Sequence, residues 1–352
     1  MHINASARVV ERLLQHLGLS TVRELMEYLH IDVYDTRGMD LHSGTAPIYI
    51  GSGKGDKKSP DHPLLKPGKS WGGNIMSLWN IREYEKDSIH GPVLEIENPL
   101  LTDPSDWEQW ENYLWPSVSW FDYSEINADL LKWSEFSIMA SGASVFQHGS
   151  YIRGLDAQLM DLLMAPDKAE YLLDKLFDFY FDYYSKLFAS CGEQIDVFAL
   201  ADDFGTQNSL MISEALFDQY FASRIKKLAD LAHKHDIFLL LHTCGNIEPL
   251  IPSFIDLGVD VLDPVQPESM DVVQIKKKYG KDICLRGGIS SQKVLAHGSK
   301  EDVQQEVKEK LDILMPGGGY IFSPGHPVFQ VDIPTENIVT MYETAWGVNG
   351  EK

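Results

Sequence analysis

The amino-acid sequence predicts an α/β fold, a (β/α)8 TIM barrel with an N-terminal helical extension. The length of 352 residues fits one barrel with additions. In the C-terminal half, short β-rich runs alternate with helical patterns, which is typical of parallel strands that are each covered by a helix. An open doubly wound sheet is the alternative, but no GxGxxG motif follows any of these runs.

The predicted elements follow one another at regular spacing. Residues 136–150 predict a strand and loop, and 166–192 a long helix. Later helical patterns begin at caps such as Ser213 and end at glycines, which favour left-handed helix ends. The β-rich runs that these helices separate are 195–205, 237–245, 259–267, 282–288 and 319–324.

The N-terminal part of the chain has a different pattern. Residues 1–130 are predicted to form an extension of helices and a long loop, packed on a barrel core of residues 131–352. The stretch 51–73 is rich in Gly, Lys, Ser and Pro, which indicates an exposed loop. Because no repeat or linker separates the two parts, one structural domain is expected.

The composition limits the classes of function. With 30 Lys and Arg against 52 Asp and Glu, the net charge of −22 argues against nucleic acid, an anionic membrane or a strongly anionic substrate as partner. No apolar stretch approaches the length of a membrane span, and the first residues lack the apolar core of an export signal. Three cysteines are too few for a disulfide framework, so a cytoplasmic protein is expected.

A histidine and a cysteine two residues apart, His242 and Cys244, end one predicted strand. Residues two apart on a strand point to the same face, so the imidazole and the thiol converge while Thr243 faces away. Zinc takes such nitrogen and sulfur ligands in a tetrahedral arrangement. A buried cysteine also packs as a small apolar residue, so the pair by itself leaves a metal site and a tolerated core pair equally open.

A third metal ligand must come from another strand end. His326 is the preferred candidate because the glycine and proline beside it fix its loop. Cys284 lies within its strand and is predicted to pack in the barrel wall. Asp202 or Asp203 is the alternative for completing the shell.

The other polar residues at strand ends have structural as well as functional interpretations. Active sites of parallel barrels lie at the carboxyl ends of the strands, which favours function. An aspartate at such a position also often caps the next helix. Gln266 can form hydrogen bonds with backbone groups of a loop, and Arg286 can form an ion pair with an aspartate.

Several long segments resemble the uroporphyrinogen decarboxylase superfamily, in the order in which that superfamily has them. They include HTCGNIEPLIPSFIDLGVDVLDPVQP (242–267), RGGIS (286–290) and GGGYIFSPGHPV (317–328). The resemblance implies a (β/α)8 barrel. The superfamily contains uroporphyrinogen decarboxylases and zinc-dependent, corrinoid-linked methyltransferases.

Two departures separate this chain from the decarboxylases. Their arginine-rich N-terminal signature, RxPxWxMRQAGR, is absent, and the front of this chain has LHIDVYDTRGMD at 29–40. A net charge of −22 also disfavours a substrate with many carboxylates. The methyltransferase branch carries an HxC pair and a later cysteine as zinc ligands. The resemblance therefore implies zinc bound by His242 and Cys244, with His326 in the later position.

The resulting hypothesis is a zinc-dependent methyltransferase that moves a methyl group from a small substrate to a corrinoid (cobalamin). No DxHxxG-type corrinoid motif occurs in the sequence, so the corrinoid is expected on a partner protein. A decarboxylase and a non-catalytic barrel are the alternatives, and a homodimer is left open. The expected catalytic residues are Asp203 and His242, and the expected substrate-binding residues are Arg153, Gln207, Gln266 and Arg286.

An O- or N-methyl donor follows from the charge of the predicted shell. Neutral His326 in place of a thiolate leaves the zinc about one charge unit more positive, unless Asp202 or Asp203 joins the shell. A stronger Lewis acid suits a hard oxygen or nitrogen atom. A stacking wall for an aromatic donor, or ordinary packing, is predicted for Trp71, Trp79, Trp115 and Trp120.

Overall fold

The computed structural model describes residues 1–39, 44–51, 64–70, 78–88, 91–97, 99–103, 107–326 and 328–350. Its central element is a curved sheet of seven parallel strands, in which each strand pairs with the next one along the chain. This arrangement confirms the predicted barrel class. The strands are β1 (Val33–Asp35), β2 (Ser137–Ala143), β3 (Val197–Ala201), β4 (Phe238–His242), β5 (Val261–Val265), β6 (Cys284–Ile289) and β7 (Tyr320–Pro324).

The N-terminal residues lie between the two edge strands of this sheet. The backbone N–H of His2 donates to Phe322 O on β7 at 3.4 Å, and the N–H of Asp32, next to β1, donates to Met1 O at 2.9 Å. Asn4–Ala5 also pairs in parallel with Val328–Phe329. The barrel ring therefore takes this segment and β1 from within residues 1–130, which the sequence assigned to an extension.

Helices alternate with the strands and cover the outside of the sheet. Caps fix several helix starts: the side chain of Asp271 accepts the backbone N–H groups of Val273 and Gln274. None of the helices in the described ranges has the length and apolarity that a membrane span requires. The α-helices are Ala7–Leu17, Val22–Tyr28, Trp107–Glu111, Ile126–Leu130, Phe146–Arg153, Leu155–Met164, Pro166–Cys191, Glu214–Phe217, Ser223–His233, Ile251–Asp256, Val272–Tyr279, Lys300–Leu314 and Thr335–Gly350.

Short elements complete the described fold. Antiparallel strands pair Ile48–Tyr49 with both Lys69–Ser70 and Phe121–Asp122, and Glu83–Ser88 with Gly91–Ile96. Most of the predicted loop 51–73 lies outside the described residues. Single turns of 3-10 helix span Val118–Trp120, Leu131–Trp133, Gly192–Gln194 and Glu248–Leu250, and π-helical turns span Asp218–Ala222 and Ser291–Leu295.

The alternation of side chains along the strands explains where polar groups gather. On β4, Leu239 and Leu241 belong to the main core under the helices, and each such buried leucine contributes about 2 kcal/mol. Leu240 faces the barrel interior, where it packs with Met139, Ala199 and Val261. The next inward position along β4 is His242, because successive side chains alternate between the two faces. Leu240, Met139, Ala199 and Val261 thus form an apolar floor inside the barrel, and polar residues follow it at the carboxyl end.

Candidate metal centre

Three potential metal ligands converge at the carboxyl ends of β3 and β4. His242 lies opposite Ala201 in the parallel register, and Asp203 follows Ala201 by two residues. His242 Nε2 lies 3.6 Å from Cys244 Sγ and 3.6 Å from Asp203 Oδ1. The ligand atoms of the three side chains all lie within 4.8 Å of one another, and each residue is partly exposed. The predicted convergence of His242 and Cys244 is therefore present, with Asp203 as a third member.

The loops after β3 and β4 are fixed to each other by short-range contacts. Asp203 Oδ1 accepts the backbone N–H of Cys244 at 2.8 Å, and Gln266 Oε1 accepts that of Gly245 at 3.0 Å. Gly245 has φ +90°, and a Cβ there would lie 2.5 Å from the carbonyl oxygen of Thr206. Only glycine allows this approach, which keeps Cys244 beside Asp203.

The ring of His242 is oriented from its other side by a buried carboxylate. His242 Nδ1 donates to Asp263 Oδ2 at 2.7 Å, and Arg286 Nη1 lies 2.7 Å from the same oxygen. Burial opposes the charged imidazole, but Cys244 and Asp263 outweigh it and raise the pKa of His242 well above its usual range. Burial likewise opposes the charged carboxylate, but Arg286 and His242 lower the pKa of Asp263. With Nδ1 engaged, His242 Nε2 faces Cys244 and Asp203.

The donor set fits a zinc ion. Ligands at about 2.0–2.3 Å from a tetrahedral ion are separated from one another by about 3.3–3.8 Å. The two 3.6 Å separations from His242 Nε2 fall in this range. Imidazole nitrogen, thiolate sulfur and carboxylate oxygen are all established zinc donors. The arrangement also has the carboxylate–histidine pair that orients many metal-bound imidazoles.

His326 lies near this cluster without belonging to it. It is not among the described residues whose ligand atoms lie within 4.8 Å of one another. Its Nδ1 donates to Val328 O at 3.0 Å, so Nε2 carries the free lone pair. Burial lowers the pKa of His326, and the charge of nearby His242 lowers it further. Pro327, part of the predicted bracket, is outside the described residues.

Comparison with known proteins identifies the family. The model of the family described as uroporphyrinogen decarboxylase (URO-D) matches residues 127–347, which is more than half of the chain. The chain belongs to the URO-D family.

The similar proteins include members named as methyltransferases, the branch to which the sequence resemblance pointed. Two relatives named methylcobamide:CoM methyltransferase MtbA, from Methanosarcina acetivorans and Methanosarcina mazei, are 26% and 27% identical over 216 and 213 residues. Each match covers 60% of this chain but only 58% of the relative. The solved structure of a methyltransferase from Methanosarcina mazei has a TM-score of 0.59 at 17% identity, over 78% of this chain and 77% of that one. It shows a shared fold.

Two other predicted ligand candidates of this URO-D chain lie elsewhere. Cys284 is the first residue of β6, at the opposite end of the barrel, where it packs against the apolar floor. Burial raises the pKa of its thiol. Asp202 is buried and caps the helix Phe146–Arg153: it accepts the Ser144 hydroxyl at 2.6 Å and three backbone N–H groups. Burial raises the pKa of Asp202 to about 6. Of the two adjacent aspartates, Asp203 alone joins the cluster.

The two arginines predicted to contact substrate are engaged by the protein itself. Arg153 is 4% exposed, pairs with Asp161 at 2.7 Å and donates to the carbonyl oxygens of Leu101 and Thr102. Arg286 is 3% exposed and pairs with Asp263. Because a buried guanidinium needs such acceptors, these contacts give both arginines structural roles.

The two predicted glutamines differ in position. Gln207 is exposed, and its Nε2 donates to the carbonyl oxygen of Glu268 at 2.8 Å. Gln266 is 5% exposed and holds the Gly245 backbone, as in its structural interpretation. Gln207 stays a candidate for substrate contact.

The predicted tryptophan wall is mainly internal packing. Trp79 is fully buried, and its Nε1 donates to the hydroxyl of Tyr180 at 2.6 Å. Trp115 contacts Trp79 edge-on, with ring centroids 6.4 Å apart, and Trp120 is 5% exposed. Trp71 lies outside the described residues. The described members therefore support the barrel rather than offer a free stacking face.

Two supporting residues of the site were not assigned a role from sequence. Asp263 lies opposite His242 in the β4–β5 register, so the signal was its position at the next strand end. His2 contacts the guanidinium of Arg286. No local pattern points to His2, because its partner Arg286 lies 284 residues away in the sequence.

Proposed function

We propose that this URO-D chain is a zinc-dependent methyltransferase that exchanges a methyl group between a corrinoid on a partner protein and a small molecule. The observation that carries the proposal is the convergence of Asp203, His242 and Cys244, in which both separations from His242 Nε2 match tetrahedral spacing. His326, with its free Nε2, is the proposed fourth donor. Bound zinc supplies a Lewis acid that activates the atom that gives or receives the methyl group.

The residues around the proposed ion have distinct roles. Cys244 and Asp203 supply two negative charges, and His242 supplies a neutral nitrogen whose orientation Asp263 fixes at 2.7 Å. Gln147 Nε2 donates to Asp203 Oδ2 at 3.2 Å, which directs the other oxygen of that carboxylate toward His242. Gln207 lies on the exposed loop after β3 and is the proposed substrate contact.

The position of Asp203 changes the argument about the substrate. The predicted O- or N-methyl donor relied on a zinc shell with a single anionic ligand. With Cys244 and Asp203 both anionic, the formal charge of the site returns to about zero, which removes that preference. The names of the two Methanosarcina relatives pair methylcobamide with CoM, a thiol. A thiol acceptor is therefore the first substrate class that we propose, and O- or N-methyl donors are the second.

The decarboxylase alternative receives less support from the site. A porphyrinogen with many carboxylates requires free cationic side chains. Arg153 and Arg286 are buried in ion pairs, and Arg37 lies 3.2 Å from Asp35. These guanidinium groups are compensated within the protein.

The proposal is tested by methyl transfer and metal content measured on the same preparations. Two reactions are followed by the absorbance of the corrinoid. One is methyl transfer from methylcobalamin to a panel of thiols, and the other is methyl transfer from methoxylated aromatics and methylamines to reduced cobalamin. Wild type and Cys284→Ala are expected to hold about one zinc per chain and to be active. Cys244→Ala is expected to lose both. Activity that persists in zinc-free protein, or release of carbon dioxide instead, contradicts the proposal.

A further inference from the structure

Four side chains form a continuous line of polar contacts from the N-terminal segment to the candidate metal centre. Arg286 Nη2 donates to His2 Nδ1. Arg286 Nη1 lies 2.7 Å from Asp263 Oδ2, and that oxygen accepts the Nδ1 proton of His242 at 2.7 Å. His2, Asp263 and Arg286 are only 1%, 1% and 3% exposed. The orientation of the His242 ring is thereby connected to His2.

The position and tautomer of His2 are both defined. A guanidinium has only donors, so His2 must accept at Nδ1 and is neutral with its proton on Nε2. The backbone of His2 is held on both sides: its N–H donates to Phe322 O at 3.4 Å, and its carbonyl accepts the hydroxyl of Tyr342 at 2.8 Å. The ring is therefore presented to Arg286 by the segment that closes the barrel.

Arg286 depends on His2 for its own orientation. In the described part of the chain, Arg286 Nε has no hydrogen-bond partner, and neither has Asp263 Oδ1. The guanidinium is therefore held by two contacts, one to Asp263 and one to His2. Without His2 a single contact remains, and the Arg286–Asp263 pair can rotate together. His242 then loses the fixed acceptor for its Nδ1 proton.

We propose that His2 is a positioning residue of the candidate metal centre, which acts through Arg286 and Asp263 on His242. The proposal rests on the proposed function in one respect, namely that His242 binds the metal. Loss of an outer partner of a metal-bound histidine lowers metal affinity about 10- to 100-fold. Because two residues, Arg286 and Asp263, separate His2 from His242, its loss is expected at the lower end, about tenfold.

Three variants of the full chain test this connection. His2→Leu removes the acceptor for Arg286. His2→Asn keeps an acceptor at the position of Nδ1. Asn4→Leu is the matched control: Asn4 lies in the same segment at 2% exposure, but its side chain donates to Asp35. Two properties are measured. 15N NMR of the metal-free protein gives the exchange rate of the His242 Nδ1 proton. Titration with Co2+ gives the affinity for this ion and its visible absorption bands.

His2→Leu is expected to speed the exchange of the His242 Nδ1 proton, to weaken Co2+ binding about tenfold and to alter the absorption bands. His2→Asn is expected to stay within about threefold of wild type, and Asn4→Leu to match it. If His2→Leu does not fold, His2→Ser, whose hydroxyl is too short to reach Arg286, replaces it.

The role of His2 is overturned if the folded His2 variant has the proton exchange rate and Co2+ affinity of wild type. It is also overturned if Asn4→Leu shows the same losses as His2→Leu. A wild type that binds no Co2+ contradicts the proposed function instead. In that case faster exchange in metal-free His2→Leu still supports the connection to His242.

Discussion

Asp203 and Cys244 are joined by a hydrogen bond that links the ends of β3 and β4: the backbone N–H of Cys244 donates to Asp203 Oδ1 at 2.8 Å. The same oxygen lies 3.6 Å from His242 Nε2. The carboxylate thus serves as an anchor for the loop and as a candidate ligand. Substitutions can separate the two roles, because an amide retains the acceptor and lacks the charge.

Asp203→Asn is expected to lower zinc affinity by about 100-fold or more, because an uncharged amide is a poor zinc donor. Its unfolding free energy should stay near that of wild type. Asp203→Ala also removes the acceptor of the Cys244 N–H, so it is expected to lower the unfolding free energy by about 1–2 kcal/mol. Chelator competition and urea unfolding measure the two effects. Unchanged zinc affinity in Asp203→Asn removes this residue from the ligand set.

His326→Ala is expected to lower zinc affinity by about tenfold or more, because its free Nε2 is the proposed fourth donor. Cys284→Ala is the control, since Cys284 lies at the opposite end of the barrel. Both variants are compared with wild type by chelator competition. Loss of zinc in Cys284→Ala with retention in His326→Ala would reverse the assignment.

Gly245→Ala is expected to destabilise the protein by about 2–4 kcal/mol and to weaken metal binding. Its Cβ would meet the carbonyl oxygen of Thr206 at 2.5 Å, and φ is +90°. Gly317→Ala is the matched control: φ is +82°, but no atom lies within 4 Å of its Cβ. That variant should cost about 1 kcal/mol and keep the metal. Thermal unfolding and zinc content check both, and equal behaviour of the two variants would contradict the steric argument.

Acid is expected to destabilise the protein partly through His148. Burial lowers the pKa of His148 from 6.5 to about 3, so the folded protein keeps the ring neutral while the unfolded chain binds a proton below pH 6.5. This contribution to stability is complete above pH 6.5 and is lost as the pH falls toward 3. Between pH 7 and pH 5 the loss is about 2 kcal/mol.

His148→Asn is expected to remove that part of the pH dependence of the unfolding free energy, measured in urea. His16→Asn is the control, because His16 is exposed, and this variant should keep the pH dependence of wild type. An identical pH slope in wild type and His148→Asn would contradict the prediction.

Arg153→Met is expected to lower the unfolding free energy by about 3–5 kcal/mol, because it leaves Asp161 buried without its partner. Lys132→Met breaks the exposed pair with Asp129 and should cost less than about 1 kcal/mol. The folded fraction of Arg153→Met is expected to keep its metal. A stable Arg153→Met that fails only in substrate binding would restore the role predicted from sequence.

Short-range patterns account for the parts of the fold and site that were predicted correctly. The pattern at 166–192 corresponds to the helix Pro166–Cys191, and the two-residue periodicity brings His242 and Cys244 together. The strand Val33–Asp35 has only three residues and no distinctive pattern, so it was missed.

The remaining assignments depend on contacts between distant segments. Asp202 and Asp203 are indistinguishable in sequence, and the register beside β4 together with the Ser144 hydroxyl separates them. Arg153 and Arg286 carry no local sign of Asp161 and Asp263, which neutralise them. The sequence offered an aspartate partner for Arg286 but could not identify it, because only the folded chain brings Asp263 to the guanidinium.

The segment that completes the ring has a consequence for biosynthesis. Asn4 is translated 324 residues before its strand partner Val328. Until then the N-terminal segment lacks its partners Phe322, Val328 and Phe329, and unpaired strand edges invite association with other chains. Nascent chains that stall before β7 should therefore bind chaperones, although all three donor residues of the candidate metal centre have already been translated.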